Sequence, residues 1–326
     1  MKRSLKVTAV AVVLCAVGGA GIVGYGNVAA EARSLSESLI DAVRDDEDES
    51  GGDRGNEEKG SGKGAGEQGG ADSFSGTRKV RVAGRSVNVS CSGRPVDGRP
   101  VVVLMAGGGD GLNTMAGLTR TLAKDARVCS YDRLGEGASD KPTGPQTVED
   151  SGRILTGVLD RIVGDRPVVL AGHSMGGLIA ARYAPDHLDR VKGLVLMDAT
   201  VPALTAGINR AIPASATGMA AQLRDQTIGV NKGQNPERFL ITDAPVRPAG
   251  NIPVQILAHE SQYSMVPRYG PALERMWADG QRQWLALSPR GSLSTAPGTG
   301  HYIHVDRPDI AVGAIQRVAA QAAARG

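Results

Sequence analysis

From residue 100 onward, short runs dominated by apolar residues alternate with longer stretches whose apolar positions recur every three or four. The short runs are Val101–Met105, Arg127–Tyr131, Pro167–Ala171, Val191–Met197 and Ile252–Ala258, and Gly291–Ala296, with its Ser and Thr, reads as the last strand. Nearly continuous apolar character, without strict alternation, suits strands covered on both faces. Helical spacing is found over Leu112–Ala126, Thr147–Val163 and Pro308–Ala324. It also runs over Glu274–Leu287, with Met276, Trp277, Trp284 and Leu287 inward. Ahead of these, Arg78–Ala83 and Ser86–Cys91 alternate about Gly84, which reads as a hairpin. Strands alternating with helices predict an α/β fold, a mostly parallel central sheet flanked by helices. The segment 200–250 breaks the alternation with Pro, Gly and short helical pieces, and reads as a small cap.

The first 76 residues differ from the rest. Residues 1–30 join a basic start (Lys2, Arg3, Lys6) to an uncharged run over Val7–Tyr25, with small residues Val28-Ala29-Ala30 before Glu31. This predicts either a cleaved signal peptide or an uncleaved membrane anchor, and in both cases export of the remaining chain. Glycines at 18, 19, 21, 24 and 26 weaken the run as a stable helix. Leu14 before Cys15 does not suit a lipoprotein cleavage site. Residues 31–76 hold thirteen acidic and five basic side chains among Gly, Ser and Glu. They lack the apolar residues to offset ordering entropy, so they read as a solvated linker. The whole chain carries a formal charge of +3. Its basic residues beyond the linker are scattered and not interleaved with aromatics, which argues against a nucleic-acid partner.

Chemistry centres on Gly172-His173-Ser174-Met175-Gly176, set between an apolar strand and a helix former. A serine on so sharp a turn needs neighbours without side chains. The turn presents the Ser174 hydroxyl and aims the Met175 N–H at any oxygen gaining negative charge. Ala106-Gly107-Gly108-Gly109-Asp110-Gly111 follows the strand Val101–Met105. It lacks the Lys and Ser/Thr of a phosphate-binding loop, so its use is to offer backbone N–H groups. Ser174 needs a base. Among the five histidines, His301 lies in a Gly-flanked loop after the last strand, with His304 close by. His173 packs under the turn, and His187 and His259 read as structural.

From about Arg78 onward the chain resembles an α/β-hydrolase. Four motifs carry the resemblance in order: the glycine loop, Tyr131–Ser139, the Gly-His-Ser-Met-Gly turn and Gly300-His301. It implies a hydrolase domain over residues 77–326 without metal or cofactor. It also implies a serine hydrolase acting on small-molecule acyl esters, with Ser174 as nucleophile and His301 as base. Many members carry the acid after the strand that ends here at Ala258, where this chain has His259-Glu260. Others carry it one strand earlier, where Asp198 stands. Asp198 is favoured, with Glu260 the alternative. The N–H groups of Met175 and Gly108 are the implied oxyanion donors, and Asp132 and Arg133 the implied loop braces. Cys91 and Cys129 fall on neighbouring strands of such a fold, and with export this suggests a disulfide. Ile212, Met219, Leu223 and Phe239 suggest an apolar pocket under the cap. A peptidase or amidase, a cofactor-free haloperoxidase and a hydrolase-like binding protein are the alternative readings.

Overall fold

The computed structural model describes residues 74–324. The expectations for the leader, and nearly all of those for the linker, lie outside that range. The sheet has eight strands: β1 (Gly76–Val82), β2 (Arg85–Ser92), β3 (Val101–Met105), β4 (Val128–Tyr131), β5 (Val168–His173), β6 (Val191–Met197), β7 (Val254–Ala258) and β8 (Gly291–Thr295). Their order is β1-β2-β4-β3-β5-β6-β7-β8. β1 and β2 pair antiparallel, as do β2 and β4; the remaining pairs are parallel. Every residue of β3, β4 and β5 is buried, which is why these runs carry no polar alternation.

The helices are α1 (Ala116–Leu122), α2 (Val148–Ile162), α3 (Met175–Tyr183), α4 (Leu204–Ala211), α5 (Gly218–Asn231), α6 (Gly270–Gln283), α7 (Ile303–Asp306) and α8 (Pro308–Ala323). One apolar core lies between the sheet and α2 with α3. A second lies between the sheet and α1 with α8. A third, built from α4, α5 and α6, includes Leu204, Ile208, Leu223 and Trp277. The cap thus has its own small core, and α6 contributes to it from outside the 200–250 segment.

Two expectations need correction. The stretch Leu112–Ala126 is not one helix: a 3-10 turn over Leu112–Met115 precedes α1, which stops at Leu122. Asp125 and Ala126 donate back to Leu122 O, so the chain winds down early enough to enter β4. The helix expected from Glu274 begins at Gly270, with Pro271 in its first turn, where a missing N–H costs nothing. Cys91 and Cys129 face each other in the β2–β4 register, with Cα atoms 4.1 Å apart, and form a disulfide. Among the described residues no helix is long and apolar enough to cross a membrane.

Candidate active site

Strand order reverses where β3 lies between β4 and β5. In an open parallel sheet, ligands bind at the carboxyl ends of the strands near such a reversal. Ser174 stands there, at the end of β5 and directly before α3. Its backbone takes φ +50° and ψ −119°, a region that L-residues avoid. Strain of this kind costs on the order of 1–3 kcal/mol and persists only where the surroundings enforce it. They do so here. Ser174 N donates to Met197 O at 3.1 Å, and Thr200 N donates to Ser174 O at 3.0 Å. A Cβ on Gly172 would come within 2.5 Å of Gly176 C and Gly177 N. One on Gly176 would come within 2.4 Å of Met105 O. The two glycines are therefore steric requirements of the turn.

The glycine loop after β3 runs beside this turn; a Cβ on Gly108 would lie 2.6 Å from Met175 Cε. Arg133 holds the loop from below. It is buried, pairs with Glu237 through two 2.7 Å contacts, and donates to Ala106 O (2.5 Å) and Gly107 O (2.7 Å). Gly109 N donates to Glu136 Oε1 at 2.9 Å. Burial and the neighbouring Glu237 raise the Glu136 carboxyl to about 8. Asp132 accepts from Leu112 N (2.6 Å), Ala138 N (2.9 Å) and Asn88 Nδ2 (2.8 Å).

Asp198 follows β6 at φ +47° and is fully buried. Its Oδ2 accepts from His301 Nδ1 at 2.7 Å and from His259 Nδ1 at 2.8 Å. Its Oδ1 accepts from Trp277 Nε1 at 2.8 Å and His259 N at 3.2 Å. Burial alone would raise this carboxyl, but the two histidines outweigh it and hold the group well below the usual range. Glu260 is exposed and accepts from Gly298 N at 3.0 Å. The structure therefore pairs Asp198, and not Glu260, with His301.

His259 reads from sequence as structural, yet it joins this cluster. Its Nε2 contacts Glu274 Oε2 at 2.9 Å. Burial disfavours its charged form, but Asp198 and Glu274 more than reverse this and raise its pKa to about 9. The signal in the chain was its place: His259 directly follows the strand Val254–Ala258, at the carboxyl edge of the sheet. Of the remaining histidines, His173 is fully buried and its Nε2 donates to His301 O at 2.9 Å. Burial and nearby His301 lower His304 to about 4.

Ser174 and His301 line one cavity of about 60 Å³, together with Gly108 and Met175. Cap residues Leu204, Ile208, Leu223 and Val230 close it. Of the four apolar residues singled out in the cap sequence, Leu223 lines this cavity. Ile212 packs in the cap core, Phe239 belongs to the main core, and Met219 is exposed.

Residues 100–232 match the family described as alpha/beta hydrolase fold; the match takes in the glycine loop, Ser174 and Asp198, and ends before His259 and His301. An uncharacterized protein of Schizosaccharomyces pombe is 40% identical over 78 residues, 24% of this chain and 15% of its own. A (lyso)-N-acylphosphatidylethanolamine lipase of Bos taurus is 31% identical over 103 residues, 31% of this chain and 30% of its own. The chain thus spans well under half the length of either relative. Among solved structures, an enol-lactonase from Burkholderia xenovorans LB400 superimposes with a TM-score of 0.56 at 21% identity. That match covers 74% of this chain and 99% of the lactonase.

Proposed function

We propose that this chain, whose residues 100–232 match the alpha/beta hydrolase fold family, is an exported serine hydrolase that cleaves carboxylic esters through an acyl-enzyme. The observation that carries the reading is the convergence of Ser174, on its strained turn, with the Asp198-paired His301 on one cavity. In the first step Ser174 Oγ bonds to the ester carbonyl carbon while His301 Nε2 takes its proton. The carbonyl oxygen gains negative charge beside the N–H groups of Met175 and Gly108, the first at the positive end of α3. The ester C–O bond then breaks, and His301 returns the proton to the departing alcohol. Water repeats the sequence on the acyl-enzyme, releasing the carboxylic acid and restoring Ser174. Asp198 fixes the proton on His301 Nδ1, leaving Nε2 free as the base, and stabilises the imidazolium that forms.

Export is supported by the basic and apolar start of the chain and by the Cys91–Cys129 disulfide, which suits an oxidising compartment. Hydrolysis of p-nitrophenyl acetate tests the enzymatic reading. Activity should fall by at least a thousandfold in Ser174→Ala and in His301→Ala. Equal rates for wild type and Ser174→Ala would refute it.

A further inference from the structure

Resting on the serine hydrolase reading, we propose that His259 is a positioning residue held as an imidazolium: it fixes Asp198 for His301, and ester hydrolysis falls when it loses its proton. Two histidines share the acid of the site. Asp198 Oδ2 accepts from His301 Nδ1 at 2.7 Å and from His259 Nδ1 at 2.8 Å. The main-chain N–H of His259 donates to the other oxygen, Oδ1, at 3.2 Å. One residue therefore grips both oxygens of the carboxylate and sets the plane in which Oδ2 meets His301.

The charge on His259 follows from its bonding. Its Nε2 lies 2.9 Å from Glu274 Oε2, so each ring nitrogen faces a carboxylate oxygen. A neutral imidazole has one N–H and one lone pair; only the imidazolium donates from both nitrogens. Glu274 is itself ionised. Its Oε1 accepts from Gln262 N at 2.7 Å and Tyr263 N at 2.6 Å. Burial would raise the Glu274 carboxyl, but His259 and these two N–H groups pull it below its ordinary value. Burial also opposes a charge on His259, yet Asp198 and Glu274 outweigh it and carry the ring to about 9.

The titratable groups facing the ring are Asp198 after β6, Glu274 on α6, His301 after β8 and Tyr263 ahead of α6. Burial, with Asp198 and Glu274 beside it, pushes the Tyr263 hydroxyl well above its usual range, so it stays neutral. Glu260, next in the chain, turns to Gly298 N instead. Trp277, which donates to Asp198 Oδ1, carries no charge. Loss of the His259 proton thus leaves two carboxylates with no cation between them. The remaining N–H serves one of them, and the bare lone pair repels the other. Either way the ring is driven from its place, and the carboxylate that fixes the proton on His301 Nδ1 loses its support.

The test follows kcat/KM for p-nitrophenyl acetate from pH 5 to 10, corrected for spontaneous hydrolysis. Wild type should lose activity along a limb near pH 9. Glu136, bonded to the glycine loop, titrates at about 8, so variants assign the limb. His259→Gln should lower kcat/KM at pH 7 by about ten- to a hundredfold, the range for losing a hydrogen bond to a charged group, and should lack the limb near 9. Glu274→Gln keeps an acceptor for Gln262 and Tyr263 but removes one counter-charge. Its limb should move down by about one pH unit or more. A side chain that merely packs would change the rate and leave the limb in place. Nitrogen-15 NMR of histidine-labelled protein at pH 7 should show a doubly protonated ring that is absent from His259→Gln. A limb at the wild-type pH in both variants, or a neutral His259 ring at pH 7, overturns the proposal. Should His259→Gln fail to fold, the limb of Glu274→Gln decides alone. Labelling of Ser174 by a fluorophosphonate separates the two levels of failure. Labelled, active protein with an unmoved limb overturns the role of His259 and leaves the hydrolase reading intact. Protein that is neither labelled nor active overturns both readings.

Discussion

His259 lies between two carboxylates, so its charge should govern stability in alkaline solution. Its ring nitrogens stand 2.8 Å from Asp198 Oδ2 and 2.9 Å from Glu274 Oε2, and the residue is only 7% exposed. Its pKa in the folded protein is about 9, against 6.5 for the free side chain. The folded value is the higher one, so the stabilisation is complete below about pH 6.5 and is lost as pH rises through about 9. That displacement corresponds to about 3 kcal/mol. Glu136, raised to about 8, contributes a fall in the same direction, so the wild-type curve alone cannot assign the effect. His259→Gln keeps a side-chain donor for Asp198 and removes the charge. Urea unfolding at pH 6, 7.5, 9 and 10, followed by circular dichroism, gives the difference between the two proteins. The variant should be less stable by about 3 kcal/mol at pH 6, and the gap should shrink to under about 1 kcal/mol at pH 10. A gap of the same size at both ends would show that His259 contributes packing or neutral hydrogen bonds, and not charge.

Other expectations rest on the same contacts. Asp198→Asn should lower kcat by about three to four orders of magnitude, since the amide no longer fixes the proton on His301 Nδ1. It should also lower stability, because a charged His259 loses one of its two counter-ions; kcat and Tm measured together check both. Gly172→Ala places a Cβ within 2.5 Å of backbone on α3. It should cost about 3 kcal/mol or more and abolish ester hydrolysis, measured by urea unfolding and by activity. Glu237→Gln leaves Arg133 buried without its carboxylate and should cost about 3–5 kcal/mol in unfolding free energy. The Cys91–Cys129 bridge joins residues 38 apart. Its removal by paired alanine substitution should cost about 4 kcal/mol in the chain-entropy picture.

The sheet was legible because its central strands are buried on both faces. Val101–Met105 and Val191–Met197 are observed with the bounds their apolar runs predict. Helix ends were read less well, since they depend on local bonding that composition does not display. α1 stops where Asp125 and Ala126 turn back to Leu122, and α6 starts at Gly270 and Pro271 rather than at its first apolar repeat. Ser174 was legible from its glycines, which the turn cannot do without. The choice between Asp198 and Glu260 was not, because each stands at a strand end where an acid can sit. Tertiary contacts separate them: Trp277 of α6 and both histidines converge on Asp198, while Glu260 turns to Gly298 and solvent. His259 escaped notice for a related reason. Its counter-ion Glu274 lies fifteen residues away on α6, and no spacing rule connects the two.

Covalent capture of Ser174 tests the central claim most directly. After incubation with a fluorophosphonate at neutral pH, peptide mapping should find one phosphonyl group per chain, on Ser174. Capture should become slow in His301→Ala and vanish in Ser174→Ala. A protein that stays unmodified, or one labelled equally well after Ser174 is replaced, would contradict the account.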